Sequence, residues 1–278
     1  MYESGLEASK SYKPCTSDWL SSKWSGFKSP KQLSRVRSTG VDIEVLRKIG
    51  IDAGSVPENF KLHRQMIKIF KARRAMAERG NGIDWGTAEA LAFGSLLLEG
   101  NHVRITGQDV QRGTFSHRHA VVKDQDSEEE YTPLNSLAEM VDESSPTEVL
   151  NRPDTQAGFT CRNSILSEFA VLGFEAGYSI ENPNSLVLWE AQFGDFANSA
   201  QVVIDQFITS GEHKWQRLCG LTLLLPQGCE GQGPEHSSAR LERFLQMCAE
   251  HNIQVCLPTT SAQVFHMLRK QVLCPLRK

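Results

Sequence analysis

The sequence predicts an α/β fold in which a parallel sheet lies between two layers of helices. Short runs that are almost wholly apolar, such as 186–189 (LVLW) and 221–225 (LTLLL), alternate with segments of helical periodicity. Strands of this kind are buried on both faces, as in a parallel sheet covered by helices. The chain has 278 residues, 40% hydrophobic and 23% charged. This is ordinary globular usage, and the length allows one large domain or two small ones.

The first 80 residues are expected to form an arm outside the sheet. Residues 1–56 are rich in Ser, Lys, Gly and Pro and show no periodicity, which is typical of an extended linker. A basic helix is then predicted to begin at Pro57 and to end at Gly80, because apolar side chains recur at steps of three, four and seven. These side chains are Leu62, Met66, Ile69, Phe70 and Met76.

From residue 81 onwards, helices and strands are predicted to alternate. Asp84 can cap a helix from Trp85 to Leu98, and a strand follows over 102–106. Residues 136–158 lack periodicity and are predicted to be an exposed insertion. The later predicted elements are helices over 167–180, 198–208 and 237–249 and after Thr260, and strands over 186–189, 221–225 and 253–257.

The charge balance argues against nucleic acid as a partner. Thirty Lys and Arg residues stand against 33 Asp and Glu residues, for a net charge of −3. No global positive field therefore attracts a polyanion or an anionic membrane. Every apolar run is far shorter than the roughly 20 residues that span a bilayer. We therefore expect a soluble protein. Residues 1–5 are neither basic nor followed by an apolar core, so we also expect no secretory signal.

Cysteine usage favours an intracellular protein. The seven cysteines are an odd number, and no two of them stand at the C-x-x-C spacing of a zinc or redox site. Cys256 lies in the predicted strand 253–257, where a thiol acts as a small hydrophobic group. We therefore expect reduced and mostly buried thiols.

The loop after strand 221–225 contains glycines and a histidine. Gly228, Gly231 and Gly233 lie between a predicted strand and a predicted helix, but Glu235 stands where a bound phosphate would need to lie. A tight turn that orients His236 is favoured over a nucleotide site. Because His236 comes close to a predicted helix N-terminus, the helix dipole is expected to favour its neutral form.

Two further loops carry candidate residues with open roles. His117 and His119 could bind a metal, but with no obvious third ligand a solvated or hydrogen-bonded pair is favoured, and we expect no metal ligands in this chain. Glu168 is predicted in the first turn of a helix, where a carboxylate complements the dipole. From spacing alone its role is structural by default.

Five motifs in order resemble one family. They are 82–94, containing GIDW and AEALAFG, 112–119 (RGTFSHRH), 163–168 (NSILSE), 188–196 (LWEAQFGDF) and 231–240 (GQGPEHSSAR). The chain resembles the central part of the thiamine-diphosphate-dependent 2-oxoglutarate dehydrogenases over nearly its whole length. This resemblance implies a three-layer, transketolase-like pyrimidine-binding domain over residues 81–278. An extended and helical arm over residues 1–80 would precede it.

The resemblance also implies roles for particular residues. Glu168, in the Leu-Ser-Glu motif, is expected to hydrogen-bond the aminopyrimidine nitrogen and so to activate the cofactor. Phe193 is expected to stack against the pyrimidine, with Leu166 and Gln192 as further contacts. His236 matches a histidine that approaches the cofactor and the substrate.

Cofactors and partners follow from the same resemblance. They are thiamine diphosphate, Mg²⁺, 2-oxoglutarate, a homodimeric or complementary subunit, and a lipoyl-bearing dihydrolipoyl succinyltransferase. No Gly-Asp-Gly pattern for Mg²⁺ is visible, so the metal ligands are expected in another domain and this chain alone is expected to be inactive. We expect the domain to be truncated at its C-terminal end. The mitochondrial matrix is the expected location, or the cytoplasm of a bacterium.

The sequence also departs from the family pattern. Gln227 and Cys229 stand where the family usually carries His and Tyr. This departure leaves two alternatives open. One is a non-catalytic binding or regulatory fragment, and the other is a relative that acts on 2-oxoadipate.

Overall fold

A parallel sheet lies at the centre of the protein. The computed structural model describes residues 2–13, 24, 26–27, 38–140, 155–228 and 233–278. The strands are β1 (Val103–Gly107), β2 (Val122–Lys123), β3 (Glu130–Tyr131), β4 (Glu139–Met140), β5 (Thr155–Gln156), β6 (Phe159–Asn163), β7 (Leu186–Glu190) and β8 (Thr222–Leu224). Four of them pair in parallel in the order β6-β1-β7-β8. The short strands β2 with β3, and β4 with β5, form two separate ladders.

Helices cover both faces of this sheet. They are α1 (Tyr2–Ser11), α2 (Ile43–Asp52), α3 (Arg64–Arg79), α4 (Trp85–Leu98), α5 (Glu168–Glu181), α6 (Gln201–Val203), α7 (Gly211–Trp215), α8 (Leu241–Met247) and α9 (Ser261–Leu273). A 3₁₀ segment, Gly194–Ala200, precedes α6, and a π-turn, Ile204–Ile208, follows it. None of the helices in the described part of the chain is long and apolar enough to cross a membrane.

The core has two halves because the central strands are buried on both faces. Leu186 and Leu188 of β7 pack on one side with apolar residues of α4 and α9. Val187 and Trp189 pack on the other side with α5 and the segment 194–204. All four side chains are at most 1% exposed. The prediction of a three-layer α/β sandwich is thereby confirmed.

The helix before residue 81 is confirmed, but its predicted start is wrong. Its last turn ends at Gly80, which has the positive φ of 67° that favours glycine. The helix begins at Arg64 rather than at Pro57, because the ring of His63 caps it by accepting a bond from the backbone N–H of Gln65. Residues 57–60 instead form a turn.

The arm is less extended than the sequence predicts. Residues 2–11 form α1, and residues 43–52 form α2. Asp42 caps α2, and Ile49 of this helix is fully buried. Ile49 belongs to the same apolar cluster as α4 and α9, so α2 is part of the packed core. The sequence prediction missed α2 because its ten residues lie within a longer stretch rich in Ser, Lys, Gly and Pro.

The predicted exposed insertion over 136–158 is wrong at both ends. At its N-terminal end Leu137 is buried, and β4 pairs with β5. Thr155, Gln156 and Ala157 are buried, and the edge strand β6 follows them. The buried amide of Gln156 is satisfied, since it donates to the carbonyl of Leu134 (2.8 Å) and accepts from the N–H of Ala138 (2.7 Å). Strand β6 was missed because it contains polar residues and no continuous apolar run. Residues 141–154 lie outside the described part of the chain.

The predicted strand over 253–257 is also wrong. This segment pairs with none of the described strands. Leu257 is 69% exposed, and Cys256 is exposed rather than buried. An alternating apolar pattern indicates which side chains could be covered, but it carries no information on whether the backbone pairs with another strand. The other predicted elements after residue 160 are present with shifted ends, as α5, β7, α8, α9 and β8. The predicted helix over 198–208 is helical but irregular, since it consists of the end of the 3₁₀ segment, α6 and the π-turn.

Helices α2 and α3 touch at Gly50. An added Cβ at this position would lie 2.4 Å from the Cβ of Ala77. We predict that Gly50→Ala lowers the free energy of unfolding by about 1–3 kcal/mol through overpacking. Urea unfolding followed by circular dichroism measures this change. Gly177→Ala in α5 is the matched control, because nothing lies within 4 Å of its added Cβ. This control should gain up to about 1 kcal/mol from helix propensity. Equal effects of the two substitutions would contradict the packing argument.

The described thiols differ strongly in reactivity. Burial raises the pKa of Cys161 to about 12 and also raises the pKa of Cys219, whereas Cys248 and Cys256 are exposed. Because the thiolate is the nucleophile, we predict that iodoacetamide modifies Cys248 and Cys256 first and reaches Cys161 and Cys219 only on unfolding. Peptide mass spectrometry over a time course measures the four rates. Modification of Cys161 as fast as Cys256 in native protein would refute the assignment.

Candidate functional site

Three loops converge where the central strands end. They follow β1, β7 and β8 and contain residues 108–119, residues 191–200, and residues 225–228 and 233–240. Carboxyl ends of parallel strands lie at one edge of a sheet, which is the usual place for ligands in open α/β folds. The candidate residues from the sequence all lie in these loops or at the start of α5.

An aromatic cluster forms the centre of this region. The ring of Phe193 meets His236 edge-on, with centroids 4.3 Å apart and planes at 78°. Phe196 lies 5.5 Å from His236, and Phe115 lies 5.9 Å from Phe193, again in edge-on geometry. Such edge-to-face contacts are favourable for aromatic rings and fix their relative orientation. The structure thus brings together Phe193 and His236, which the sequence had placed on different loops.

The local setting of His236 differs from the expectation. His236 ends a three-residue 3₁₀ turn, Pro234–His236, and the next α-helix begins only at Leu241. The argument from a helix N-terminus is therefore wrong for His236. Its buried Nδ1 lies 2.9 Å from Oε1 of Glu235, but the angles are not those of a hydrogen bond. Of the glycines in this loop, Gly231 lies outside the described residues.

Glu168 begins helix α5 and is half-buried. Its Oε1 accepts a hydrogen bond from Nε2 of Gln108 at 3.0 Å, and its Oε2 accepts one from Oγ of Ser199 at 3.3 Å. The hydroxyl of Ser199 also contacts the carbonyl of Phe196, at 3.0 Å. The carboxylate is thus connected to the turn that carries the aromatic cluster. Of the other two predicted contacts, Leu166 is 48% exposed and Gln192 is half-buried.

The loop after β8 is fixed to the loop after β7. The N–H of Gly194 donates to the carbonyl of Pro226 at 2.9 Å, and Nε of Arg240 donates to Oδ1 of the buried Asp195 at 2.5 Å. Gln227 supports the same loop, because its Oε1 accepts from the N–H of Ala239 at 3.3 Å. These contacts hold His236 next to Phe193.

Three charged side chains are buried beneath the loops. Arg118 is 4% exposed and forms ion pairs with Glu89 of α4 and with Glu190 at the end of β7. Burial alone would lower the pKa of Arg118, but the two carboxylates outweigh it and raise this pKa well above its usual value. The arginine therefore stays charged at any working pH.

The two histidines beside Arg118 differ in their contacts. A ring nitrogen of His119 lies 2.9 Å from the carbonyl of Ser116, within hydrogen-bond distance. In contrast, the buried Nδ1 of His117 has no hydrogen-bond partner. Burial lowers the pKa of both imidazoles, and the charge of Arg118 lowers that of His117 further.

One set of possible metal ligands occurs among the described residues. Single atoms of Glu89, His117 and Glu190 lie within 4.8 Å of one another. The guanidinium of Arg118 already binds both carboxylates. A cation at this point would have to displace it, so the arrangement suits an ion-pair cluster better than a metal centre.

Several residues of this site were missed by sequence reasoning as individual candidates. They are Gln108, Phe115, Arg118, Ser199 and the pair Asp195 and Arg240. Most of them stand inside motifs that follow a strand, which is the signal that could have drawn attention to them. Their contacts join segments far apart in the sequence, and spacing carries no information about such contacts.

Comparison with known proteins decides the family. A family model described as the pyrimidine binding domain of transketolase matches residues 81–278. The chain belongs to this family. The match covers all strands of the sheet and the three loops at its carboxyl edge, so the fold expected from the motifs is confirmed.

Some relatives match this chain along its whole length, including the arm before the pyrimidine-binding domain. The chain is 50% identical to the mitochondrial 2-oxoglutarate dehydrogenase of Dictyostelium discoideum over all of its length. It is 51% identical over 99% of its length to the 2-oxoglutarate dehydrogenase E1 components of Brucella ovis and Brucella canis. The chain spans only 28% and 26% of the length of these curated relatives.

The buried histidines make stability depend on pH. Because the folded-state pKa values of His117 and His119 lie below the unfolded value of about 6.5, the unfolded chain binds more protons in this range. Their contribution is therefore present above about pH 6.5 and is lost as the pH falls below that value. We predict that the free energy of unfolding in urea decreases from pH 7.5 to 5.5.

The variant His117→Gln isolates this effect and should show a smaller decrease over the same pH range. The exposed His213 offers the control His213→Gln, which should keep the wild-type pH dependence. If His117→Gln and His213→Gln behaved alike, the buried imidazole would not be the cause.

Proposed function

We propose that this chain is the pyrimidine-binding segment of a thiamine-diphosphate-dependent 2-oxoglutarate dehydrogenase. In this role it contributes to the oxidative decarboxylation of 2-oxoglutarate and to succinyl transfer onto a lipoyl group. One observation carries the proposal. The fold places Phe193 and His236 in direct contact and links Glu168 to the same turn through Ser199. Relatives that share about half of the aligned residues with this chain bear the name 2-oxoglutarate dehydrogenase.

The side chains fit an aminopyrimidine ring. Such a ring is flat and carries nitrogens that exchange protons, so it needs an aromatic neighbour and a carboxyl group. Phe193 is half-buried and Glu168 is half-buried, so both can be reached from outside. The hydrogen bonds from Gln108 and Ser199 fix the direction of the carboxylate and leave it further capacity as an acceptor.

Each residue then has a defined task. Glu168 exchanges a proton with the pyrimidine nitrogen, and Phe193 packs against the ring. Leu166 and Gln192 contact the cofactor beside them, and His236 faces the cofactor and the substrate carboxylate. When bound, thiamine diphosphate supplies the carbon nucleophile that adds to the 2-keto group and accepts the electrons left by carbon dioxide. The edge-on contact with Phe193 keeps the imidazole of His236 in one orientation.

The diphosphate and Mg²⁺ are assigned to residues outside this chain. The described residues contain no group of three or more potential ligands other than Glu89, His117 and Glu190, where Arg118 lies. A diphosphate with its metal needs several oxygen ligands and positive charge. The near-neutral net charge of −3 is consistent with such a division of the cofactor site.

The surface around Glu168 indicates a partner subunit. Ile165 is fully exposed, Leu166 is 48% exposed and Phe169 is 52% exposed. Apolar side chains grouped beside a functional residue are typical of an interface. We assign this surface to a homodimeric or complementary subunit. The lipoyl-bearing dihydrolipoyl succinyltransferase is the proposed acceptor of the product. The proposed location is the mitochondrial matrix, or the cytoplasm if the source is bacterial.

A chimera tests this proposal. The chain replaces the matching segment of the Dictyostelium 2-oxoglutarate dehydrogenase, to which it is 50% identical. We predict turnover of 2-oxoglutarate that requires thiamine diphosphate and Mg²⁺, and a loss of kcat of about 100- to 10,000-fold in Glu168→Gln. The 278-residue chain alone should show no turnover. Steady-state kinetics with a ferricyanide acceptor measures both.

The control is Glu181→Gln, because Glu181 is an exposed carboxylate at the other end of the same helix. It should leave kcat unchanged. Full activity of the Glu168→Gln chimera would refute the catalytic role and favour a non-catalytic binding segment. Competition between 2-oxoglutarate and 2-oxoadipate in the active chimera decides which acid is preferred.

A further inference from the structure

Arg118 lies where three separate parts of the chain meet. Its Nε donates to Glu89 of α4 at 2.6 Å, and its Nη1 donates both to Glu190 at 2.9 Å and to the carbonyl of Val110 at 3.1 Å. Its Nη2 donates to Glu89 at 3.1 Å and also reaches Glu190. One side chain therefore joins a helix, the end of a central strand and the loop after β1.

This cluster is a poor source of stability. Arg118, Glu89 and Glu190 are 4%, 2% and 6% exposed and together carry a net charge of −1. Removing three charges from water costs free energy. Replacing such a cluster with well-packed apolar side chains often leaves the stability of a protein unchanged or raises it. A guanidinium with its planar set of donors does, however, fix the relative position of two carboxylates. The effect of the cluster is therefore geometric.

The backbone around Arg118 is held in an unusual shape. Ser116 and His119 have positive φ angles of 53° and 45°, although neither is glycine. Such conformations persist only where surrounding contacts enforce them. Here the carbonyl of Arg118 accepts a bond from the buried Arg73 of α3 at 2.8 Å, and its N–H donates to the carbonyl of Arg112 at 3.0 Å.

The loop that contains Arg118 also contributes a ring to the aromatic cluster. Phe115 stands three residues before Arg118 and touches Phe193 edge-on. Phe193 stands three residues after Glu190, the partner of Arg118. The same ion pair thus fixes both loops whose phenylalanine rings meet, and Phe193 in turn contacts His236.

We propose that Arg118 is a positioning residue of the pyrimidine site. By binding Glu89 and Glu190 together, it sets the distance between the loops after β1 and β7. It thereby positions the contacting rings of Phe115 and Phe193, and Phe193 in turn contacts His236. Its relevance to a reaction rests on the proposed function, but the arrangement of the rings does not. Arg118 touches neither His236 nor Phe193, so it acts through the loops.

Nuclear magnetic resonance of the 278-residue chain tests this role without any cofactor. The edge-on ring of Phe193 shifts the ring-proton resonances of His236, which are assigned by their loss in His236→Gln. In Arg118→Gln we expect this ring-current shift to be lost. Arg118→Lys should retain part of it, because an ammonium group can hold one carboxylate but not fork between two.

Two further variants separate positioning from folding. Arg104→Gln removes another arginine–glutamate pair of the described residues, in which Arg104 binds Glu175 through two bonds of 2.8 Å away from the loops. It should leave the His236 resonances in place even where it lowers the melting temperature. Glu190→Ala leaves the neutral pair of Glu89 and Arg118, so it should fold even if Arg118→Gln does not, and it should also lose the shift.

Wild-type His236 resonances in folded Arg118→Gln, or in folded Glu190→Ala, would overturn the proposal. So would an equal displacement in Arg104→Gln, because any loss of a buried pair would then suffice. An inactive chimera in the kinetic experiment would leave these spectra unaffected. The failure of the positioning role and the failure of the proposed function are therefore distinguishable.

Discussion

The register between β1 and β7 is the constraint on which the site depends. Gly107 lies opposite Glu190, so the two central strands end at the same level and release their loops at one point. The absence of a side chain at Gly107 permits this, because a Cβ there would lie 2.3 Å from the carbonyl oxygen of Glu190. A shift of one residue in this pairing would turn every side chain of a strand to the opposite face. The ion pair between Arg118 and Glu190 and the contact between Phe115 and Phe193 both depend on this alignment.

Two kinds of interaction organise the residues around these strand ends. Buried charges act below the loops, where Arg118 and its carboxylates see little water. Aromatic rings act above them, where Phe193 and His236 remain partly open. The first kind is strong and directional in a medium of low dielectric constant. The second kind leaves a surface on which a flat ligand can lie. The buried ion pairs therefore keep the base of the site rigid, and the partly exposed rings leave its upper surface accessible to a ligand.

Much of this organisation was predictable from the sequence. The apolar run 186–189 identified a strand buried on both faces, and Asp84 and Gly80 marked helix ends that the structure retains. The motifs placed Phe193 and His236 in loops that do converge, and Glu168 at the start of a helix beside them. What the sequence could not supply depends on long-range contacts. Strand β6 pairs with β1, whereas the segment 253–257 pairs with none of the described strands, although β8 lies at an open edge of the sheet. The roles of Arg118 and Ser199 arise only when segments dozens of residues apart come together.

The burial of Ile49 has a practical consequence for how the molecule can be divided. The family model begins at residue 81, yet Ile49 of α2 is inaccessible to solvent and belongs to the same apolar cluster as α4 and α9. A recombinant fragment that started at residue 81 would therefore present an open hydrophobic slot to water. The boundary drawn by sequence similarity and the boundary of cooperative folding are different, and the second lies before α2.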